Sequence, residues 1–274
     1  MGGNHANQAA VFKQALDIEP DGLILGSIDA NSAAPVLAPF KNAGIPIVGW
    51  HVSPFPGAVP DSPILLNVAT DSIDVARTAA SYAIAESNGR AKVVIFTDSR
   101  FAIAMKKSVT MAQIIKECKD CKLLEIIDIP LDKICTLMEK TTEQLLSKYD
   151  GNWEYSLAIN DLYYDYAIAE IVLNGKPAQG PPMNISAGDG SPSALLRIKY
   201  GSYQQATVPE PLVLHGWQLV DELNRVMNKM PPSNYKVPLK ILTIENIESH
   251  YNTLNLFDPK NGYREAYRKI WKRK

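Results

Sequence analysis

The residues able to do chemistry in this chain stand directly after apolar runs. They are Trp50-His51, Thr97-Asp98, Asn160-Asp161 and Gly188-Asp189. Carboxylates and amides at such places can exchange hydrogen bonds with a polar ligand. An Asp or Asn in such a place also serves as an ordinary helix N-cap, and a ring there as core beneath a loop. Their recurrence at four strand ends tilts the reading toward a polar ligand edge. Asp161 and Asp165 share an i, i+4 spacing, which reads as a solvated helix face rather than an acid/base pair.

Catalytic patterns are missing. No Gly-x-Ser-x-Gly elbow occurs. Asp189-Gly190-Ser191 has neither the spacing nor the Lys of a phosphate loop. His5, His215 and His250 show no metal-ligand spacing, and His51 alone carries no catalytic role. An enzyme of this kind would need a nucleophile–base pair at the strand ends, and none is identifiable; no metal and no cofactor are expected.

Cys118 and Cys121 form a C-x-x-C pair, and Cys135 stands apart. The spacing admits a redox dithiol, half a zinc site or a local disulfide. No second pair and no neighbouring His support zinc. The pair follows an apolar-periodic stretch over 101–115, at a helix C-terminus, where the helix dipole raises a thiol pKa and disfavours redox catalysis. A structural disulfide or an inert pair fits better.

These residues need elements to hold them, and the sequence repeats one unit: an apolar run, a polar end, a helical stretch, then Gly, Asn or Pro. Strands are expected over 23–28, 45–49, 64–68, 92–96, 123–127, 156–159, 184–187 and 239–244. Helices are expected over 7–16, 34–42, 71–87, 101–118, 136–149, 163–174, 191–200 and 211–228. Thr136 with Glu139 reads as a capping box. Ser191, Pro192 and Gly201 read as cap, first turn and stop. The basic tail from Tyr267, carrying Trp271, reads as a packed terminal helix. Alternating strands and helices imply an α/β fold with parallel sheets, and fully apolar strands imply cover on both faces. The strands fall into two runs that part near 88–91, which suggests two lobes. In such sheets ligands sit outside the carboxyl ends of the strands, where the polar pairs stand.

Bulk properties agree. At ~150 residues per domain, 274 residues suggest two. Apolar residues make up 46% and charged residues 21%, values of a globular chain. Lys and Arg number 28 against 29 Asp and Glu, and the formal net charge of -1 gives no case for nucleic acid or an anionic membrane surface. No apolar run approaches the ~20 residues of a membrane span. The polar N-terminal stretch has no basic start and no apolar core of a leader. Asn184-Ile185-Ser186 is a formal glycosylation sequon in an expected buried strand.

Pro20-Asp21-Gly22-Leu23-Ile24-Leu25, then Asp29, then Ala43-Gly44-Ile45-Pro46-Ile47-Val48 resemble the first lobe of type I periplasmic sugar-binding proteins. These are the ribose-binding-like solute receptors of ABC transporters. Leu157-Ala158-Ile159-Asn160-Asp161, Ala187-Gly188-Asp189-Gly190 and Gln205-Ala206-Thr207-Val208 with Glu210-Pro211 resemble the second lobe, in the right order. The likeness runs from near Pro20 to near Met230.

The resemblance implies two doubly wound parallel-sheet lobes, with hinge crossings near 88–91, 208–211 and 238–241. Residues 1–89 and 211–238 would form the first lobe, and 90–210 and 239–274 the second. It implies a sugar or sugar alcohol gripped by hinge closure without chemistry. It further implies the membrane permease of an ABC importer as partner, a monomer without nucleic acid, and a periplasmic location, where Cys118 and Cys121 would be disulfide-bonded. The family's ligand positions carry over to Asn160 and Asp189 as hydroxyl partners, and to Glu210 at a hinge position that often holds Gln. His51-Val52, beside Trp50, replaces the family's Asp-Arg pair, so a bidentate donor is lost there. Asp98, Ser99 and Phe101, with Arg100, occupy the loop opening the second lobe, and Trp50 and Phe101 would be plates for the C–H faces of a sugar. The family's opening strand, helix and strand have no counterpart, so the first lobe is expected to be incomplete. Lactose-repressor-type regulators share the fold, and their effector-binding domain is the alternative; free thiols at Cys118 and Cys121 would favour it.

Overall fold

The computed structural model describes residues 5–250 and 256–272; the very start of the polar N-terminal stretch and the end of the basic tail lie outside the described residues. The elements run α1 (His5–Asp17), β1 (Leu23–Gly26), α2 (Ala30–Asn42), β2 (Ile47–Trp50), β3 (Gly57–Ala58), β4 (Ile64–Val68), α3 (Ser72–Glu86), β5 (Lys92–Thr97), α4 (Ala102–Glu117) and β6 (Lys122–Asp128). They continue with α5 (Ile134–Tyr149), β7 (Tyr155–Ala158), α6 (Leu162–Leu173), β8 (Met183–Ser186), α7 (Pro192–Lys199), β9 (Ala206–Thr207), α8 (Leu212–Met227), β10 (Leu242–Thr243) and α9 (Tyr263–Lys272). No helix among the described residues is long and apolar enough to cross a membrane.

The chain divides into two compact units. The first takes Met1–Asp71, Pro211–Val237 and Pro259–Lys274, and the second takes Ser72–Glu210 and Pro238–Asp258. This division differs from the sequence expectation in two segments, each for a packing reason. Helix α3 belongs to the second unit because Val75, Ala76, Ala79, Ala80 and Ala83 are buried in that unit's core. Helix α9 belongs to the first unit because its rings pack on α8. Trp271 lies 5.1 Å from Trp217, interplanar angle 5°, and Tyr263 and Tyr267 join Leu214 in one buried cluster.

In the first unit the sheet order is β1-β2-β4-β3; β1, β2 and β4 are parallel and the short β3 is antiparallel. Asp29 opens α2, its carboxylate accepting the amides of Asn31 and Ser32 at 3.1 and 2.9 Å. One face of the sheet is covered by α2, where Leu37 and Phe40 pack with Ile47 and Ile64. The other is covered by α8, where Leu219 meets Val48, Leu66 and Val68. At Gly49 a Cβ would lie 2.4 Å from Val52 Cγ1, so the chain can double back after β2 only without a side chain there.

In the second unit the order is β10-β9-β8-β7-β5-β6, parallel except for the last pair, β10 on β9. Val93–Phe96, Leu157 and Ile185 are fully buried between helical layers, as apolar strands in a doubly covered sheet require. Phe96 stacks on Tyr163 at 5.8 Å. Three local expectations need correction. The strand expected over 239–244 shortens to Leu242–Thr243, and it runs antiparallel. Helix α5 begins at Ile134, continuing a 3-10 turn over Leu131–Lys133. Thr136 therefore lies inside the helix, its hydroxyl donating to the Lys133 carbonyl at 2.9 Å, and makes no capping box. The third is Asp161, which is 1% exposed and lies on no solvated face. Cys118, at the end of α4, is disulfide-bonded to Cys121 before β6, and Cys135 is an exposed free thiol.

Candidate functional site

Strands β5, β7 and β8 are parallel neighbours, so their carboxyl ends emerge along one edge of the second unit. Beneath that edge lies Lys107. It sits on the apolar face of α4, three residues after Ala104 and four before Met111, and is only 4% exposed. Its ammonium donates to the Ala187 carbonyl at 2.6 Å and the Ile159 carbonyl at 3.4 Å, and lies 4.0 Å from Glu210 Oε1. Glu210 is 2% exposed, and its amide donates to the Asp189 carbonyl at 3.0 Å. A buried ammonium is tolerated only when its donors are used and its charge is met. Meeting it here ties together the loops that carry Asn160, Asp189 and Glu210.

Asn160 is half-buried. Its Oδ1 accepts the Leu162 amide at 3.2 Å, which leaves its Nδ2 as a donor without a partner among the described residues. Asp161 is not on a solvated face. It is 1% exposed and is the N-cap residue of α6, facing the end of β8. Its Oδ2 accepts the amides of Asp189, Gly190 and Ser191 at 3.1, 2.7 and 2.9 Å. Its Oδ1 accepts Gln204 Nε2 at 2.7 Å and the Ser186 hydroxyl. Asp165, one turn on, instead receives Ser193 Oγ at 2.8 Å and Arg197 at 2.5 Å. Gly190 has φ +77, and a Cβ there would lie 2.4 Å from Pro209 Cβ, so this turn is built for glycine.

The loop after β5 is saturated by its own partners. Asp98 is fully buried; its Oδ1 accepts Arg100 N and Nε at 3.1 and 2.9 Å, and its Oδ2 accepts an Arg100 terminal nitrogen at 2.7 Å and the Leu131 amide at 2.8 Å. Burial by itself would raise the Asp98 carboxyl, but the Arg100 hydrogen bonds, the Leu131 amide and the guanidinium charge outweigh it and hold it below its ordinary value. Arg100 also reaches Asp132 at 2.7 Å. Ser99 donates to Asp128 through its amide at 2.9 Å and its hydroxyl at 2.5 Å. Phe101 is half-buried, is the N-cap residue of α4, and packs against the unit's core.

In the first unit, Trp50 ends β2 and His51 follows it, their rings stacked at 3.8 Å and 14°. The Trp50 indole N–H donates to Nδ1 of His215 on α8 at 3.2 Å, and the ring packs beside Val48, Leu66 and Leu219. His51 holds φ +54. No group of His, Cys, Asp and Glu among the described residues is arranged to hold a metal ion.

Each unit thus holds part of the expected set, Trp50 and His51 in one, and in the other Asn160, Asp189 and Glu210 on loops that Lys107 ties together. The sequence reading missed Lys107, although its place on the buried period of α4 was a usable signal. It also missed Gln204 and Asp128, which no spacing marks.

Residues 2–229 match the family model described as periplasmic binding protein domain. No curated protein matches the chain by sequence. Solved structures share its fold at low identity. A galactofuranose binding protein superposes with a TM-score of 0.75 at 20% identity, covering 89% of this chain and 82% of its own. The periplasmic component of an arabinose ABC transporter from Shewanella sp. ANA-3, bound to α- and β-L-arabinofuranose, gives 0.77 at 18%, covering 97% and 85%. A myo-inositol-bound ABC transporter solute binding protein from Bacillus halodurans C-125 gives 0.73 at 19%, covering 89% and 82%. With the family model spanning most of the chain, and the α/β fold expected from the sequence present in the structure, this protein belongs to the periplasmic binding protein domain family.

Proposed function

We propose that this protein is a non-catalytic, extracytoplasmic receptor for a sugar or sugar alcohol, delivering it to the membrane permease of an ABC importer. The observation that carries this reading is that one buried ammonium, by bonding the Ile159 and Ala187 carbonyls and facing Glu210, ties together the loops that carry Asn160, Asp189 and Glu210. An amide and carboxylates at a strand edge suit hydroxyl groups, which both donate and accept. The charge pattern favours an uncharged ligand. Arg100 is engaged by Asp98 and Asp132, and Lys107 is met by Glu210, so neither cation is left over for a carboxylate or phosphate ligand. Trp50 and Phe101 offer apolar surface for C–H faces. The disulfide of Cys118 and Cys121 favours an extracytoplasmic chain over a regulator in a reducing cytosol. The names of the structural neighbours, which bind furanoses and a polyol, support the same class.

Isothermal titration of the protein with L-arabinose, D-galactose, D-ribose, allitol and myo-inositol tests the reading. Saturable binding of at least one, recovered unchanged, is expected. Binding of none, or conversion of any, overturns it.

A further inference from the structure

We propose that Asp161 is a positioning residue for ligand binding: its buried carboxylate holds the turn that presents Asp189 while touching no ligand itself. The proposal rests on the sugar-binding reading above. Three successive amides, those of Asp189, Gly190 and Ser191, converge on the single oxygen Oδ2. Such convergence fixes the backbone of a turn as a helix cap fixes a first turn. The other oxygen is pinned from the opposite side by Gln204 Nε2 and the Ser186 hydroxyl. Gln204 is itself held in one orientation, because Arg197 Nε and a terminal Arg197 nitrogen donate to its Oε1 at 3.0 and 2.9 Å. Arg197 is anchored in turn on Asp165. Thr207 Oγ1 donates to the Gly188 carbonyl at 3.2 Å and steadies the turn from β9. An uncharged side chain cannot replace the carboxylate. Asparagine at 161 offers one acceptor oxygen and sets an NH2 group against groups that are donors.

The test combines amide hydrogen exchange by NMR with sugar titration, on the intact protein. In D161N, exchange at residues 189–191 is expected to quicken by about tenfold or more, with Val93 to Phe96 unchanged, because buried charge-assisted bonds are lost. Affinity for whichever of L-arabinose, D-galactose and myo-inositol the wild type binds should fall by about tenfold or more. D189N separates presentation from contact: it should lose affinity while exchange at 190 and 191 stays slow. The double variant D161N/Q204E should recover part of both readouts, since a carboxylate at position 204 accepts the new NH2 group and still receives Arg197, while the amides keep only a neutral acceptor. Wild-type exchange at 189–191 in D161N overturns the proposal, as does quickened exchange with wild-type affinity. Binding of no sugar by the wild type sinks the sugar reading instead, and the exchange data then decide the role of Asp161. Should D161N fail to fold, Q204A is read in the same way, and unchanged exchange at 189–191 overturns the proposal.

Discussion

Replacing Lys107 with methionine tests whether a buried ammonium organises the second unit. The change keeps most of the stem's volume and removes only the charge and its three donors. Hydrogen bonds to charged groups contribute roughly 1.5–3 kcal/mol, and breaking a buried ion pair costs roughly 3–5 kcal/mol. The short bond to Ala187, 2.6 Å, counts fully, whereas Ile159 at 3.4 Å and Glu210 at 4.0 Å lie at the weak end. Together they set the loss at about 3 kcal/mol. For a unit of this size, about 2–4 °C accompany each kcal/mol, so its melting temperature should fall by roughly 6–12 °C. Scanning calorimetry reads this directly. Added salt should leave the difference in place, because screening acts on exposed charges. K107M/E210Q should be less destabilised than the sum of the single changes, since the two groups are coupled. A K107M protein within about 1 kcal/mol of wild type would mean that the ammonium is solvated in solution and organises nothing.

Further outcomes follow from other parts of the molecule. Gly190→Ala should destabilise by about 1–3 kcal/mol, because a Cβ meets Pro209 and the turn has positive φ; an unchanged melting temperature would contradict this. Thiol titration of the native protein should find one reactive group, Cys135, and two more after reduction; more than one before reduction refutes the disulfide. Tyr82 and Tyr267 are pushed up to about 12, chiefly by burial and then by nearby carboxylates, Glu86 and Glu245 for Tyr82, Asp221 and Glu222 for Tyr267. The folded protein then keeps protons that the unfolded chain releases near pH 10, so stability present below about pH 10 is lost as pH rises toward 12. Phenolate absorbance showing every tyrosine ionising near 10 in the folded protein would refute this.

Much of the framework is legible in the sequence because strand interiors are uniformly apolar and helix stops are marked. Runs such as Val93–Phe96 read as buried strands, and the periodicity of α3 and α4 marks their buried faces. Assignment of helices to units is not legible. Helix α3 is amphipathic in a way that suits either sheet, and only packing decides. The site shows the same boundary. Asn160, Asp189 and Glu210 are visible as polar residues at strand ends. The role of Asp161 is not, because its partners are backbone amides 28–30 residues away and a glutamine 43 residues away. Asp98 shows the converse, since its position suggests a ligand group and its neighbours Arg100 and Leu131 consume every lone pair the sequence would assign to a guest.

The interleaving of the two units along the chain governs when either can close its core during synthesis. The second unit waits for Pro238–Asp258, which brings Leu242, Ile247 and Phe257 to the cluster around Leu195 and Ile198. The first waits for α8 to roof its sheet and for α9 to cover α8. A ribosome must therefore release nearly the whole polypeptide before the Leu195–Ile198 cluster and the α8 face of the first sheet are covered, although every buried member of the large cluster from Val75 to Val208 has emerged earlier. Until then the growing chain carries apolar faces that only its last segments can cover.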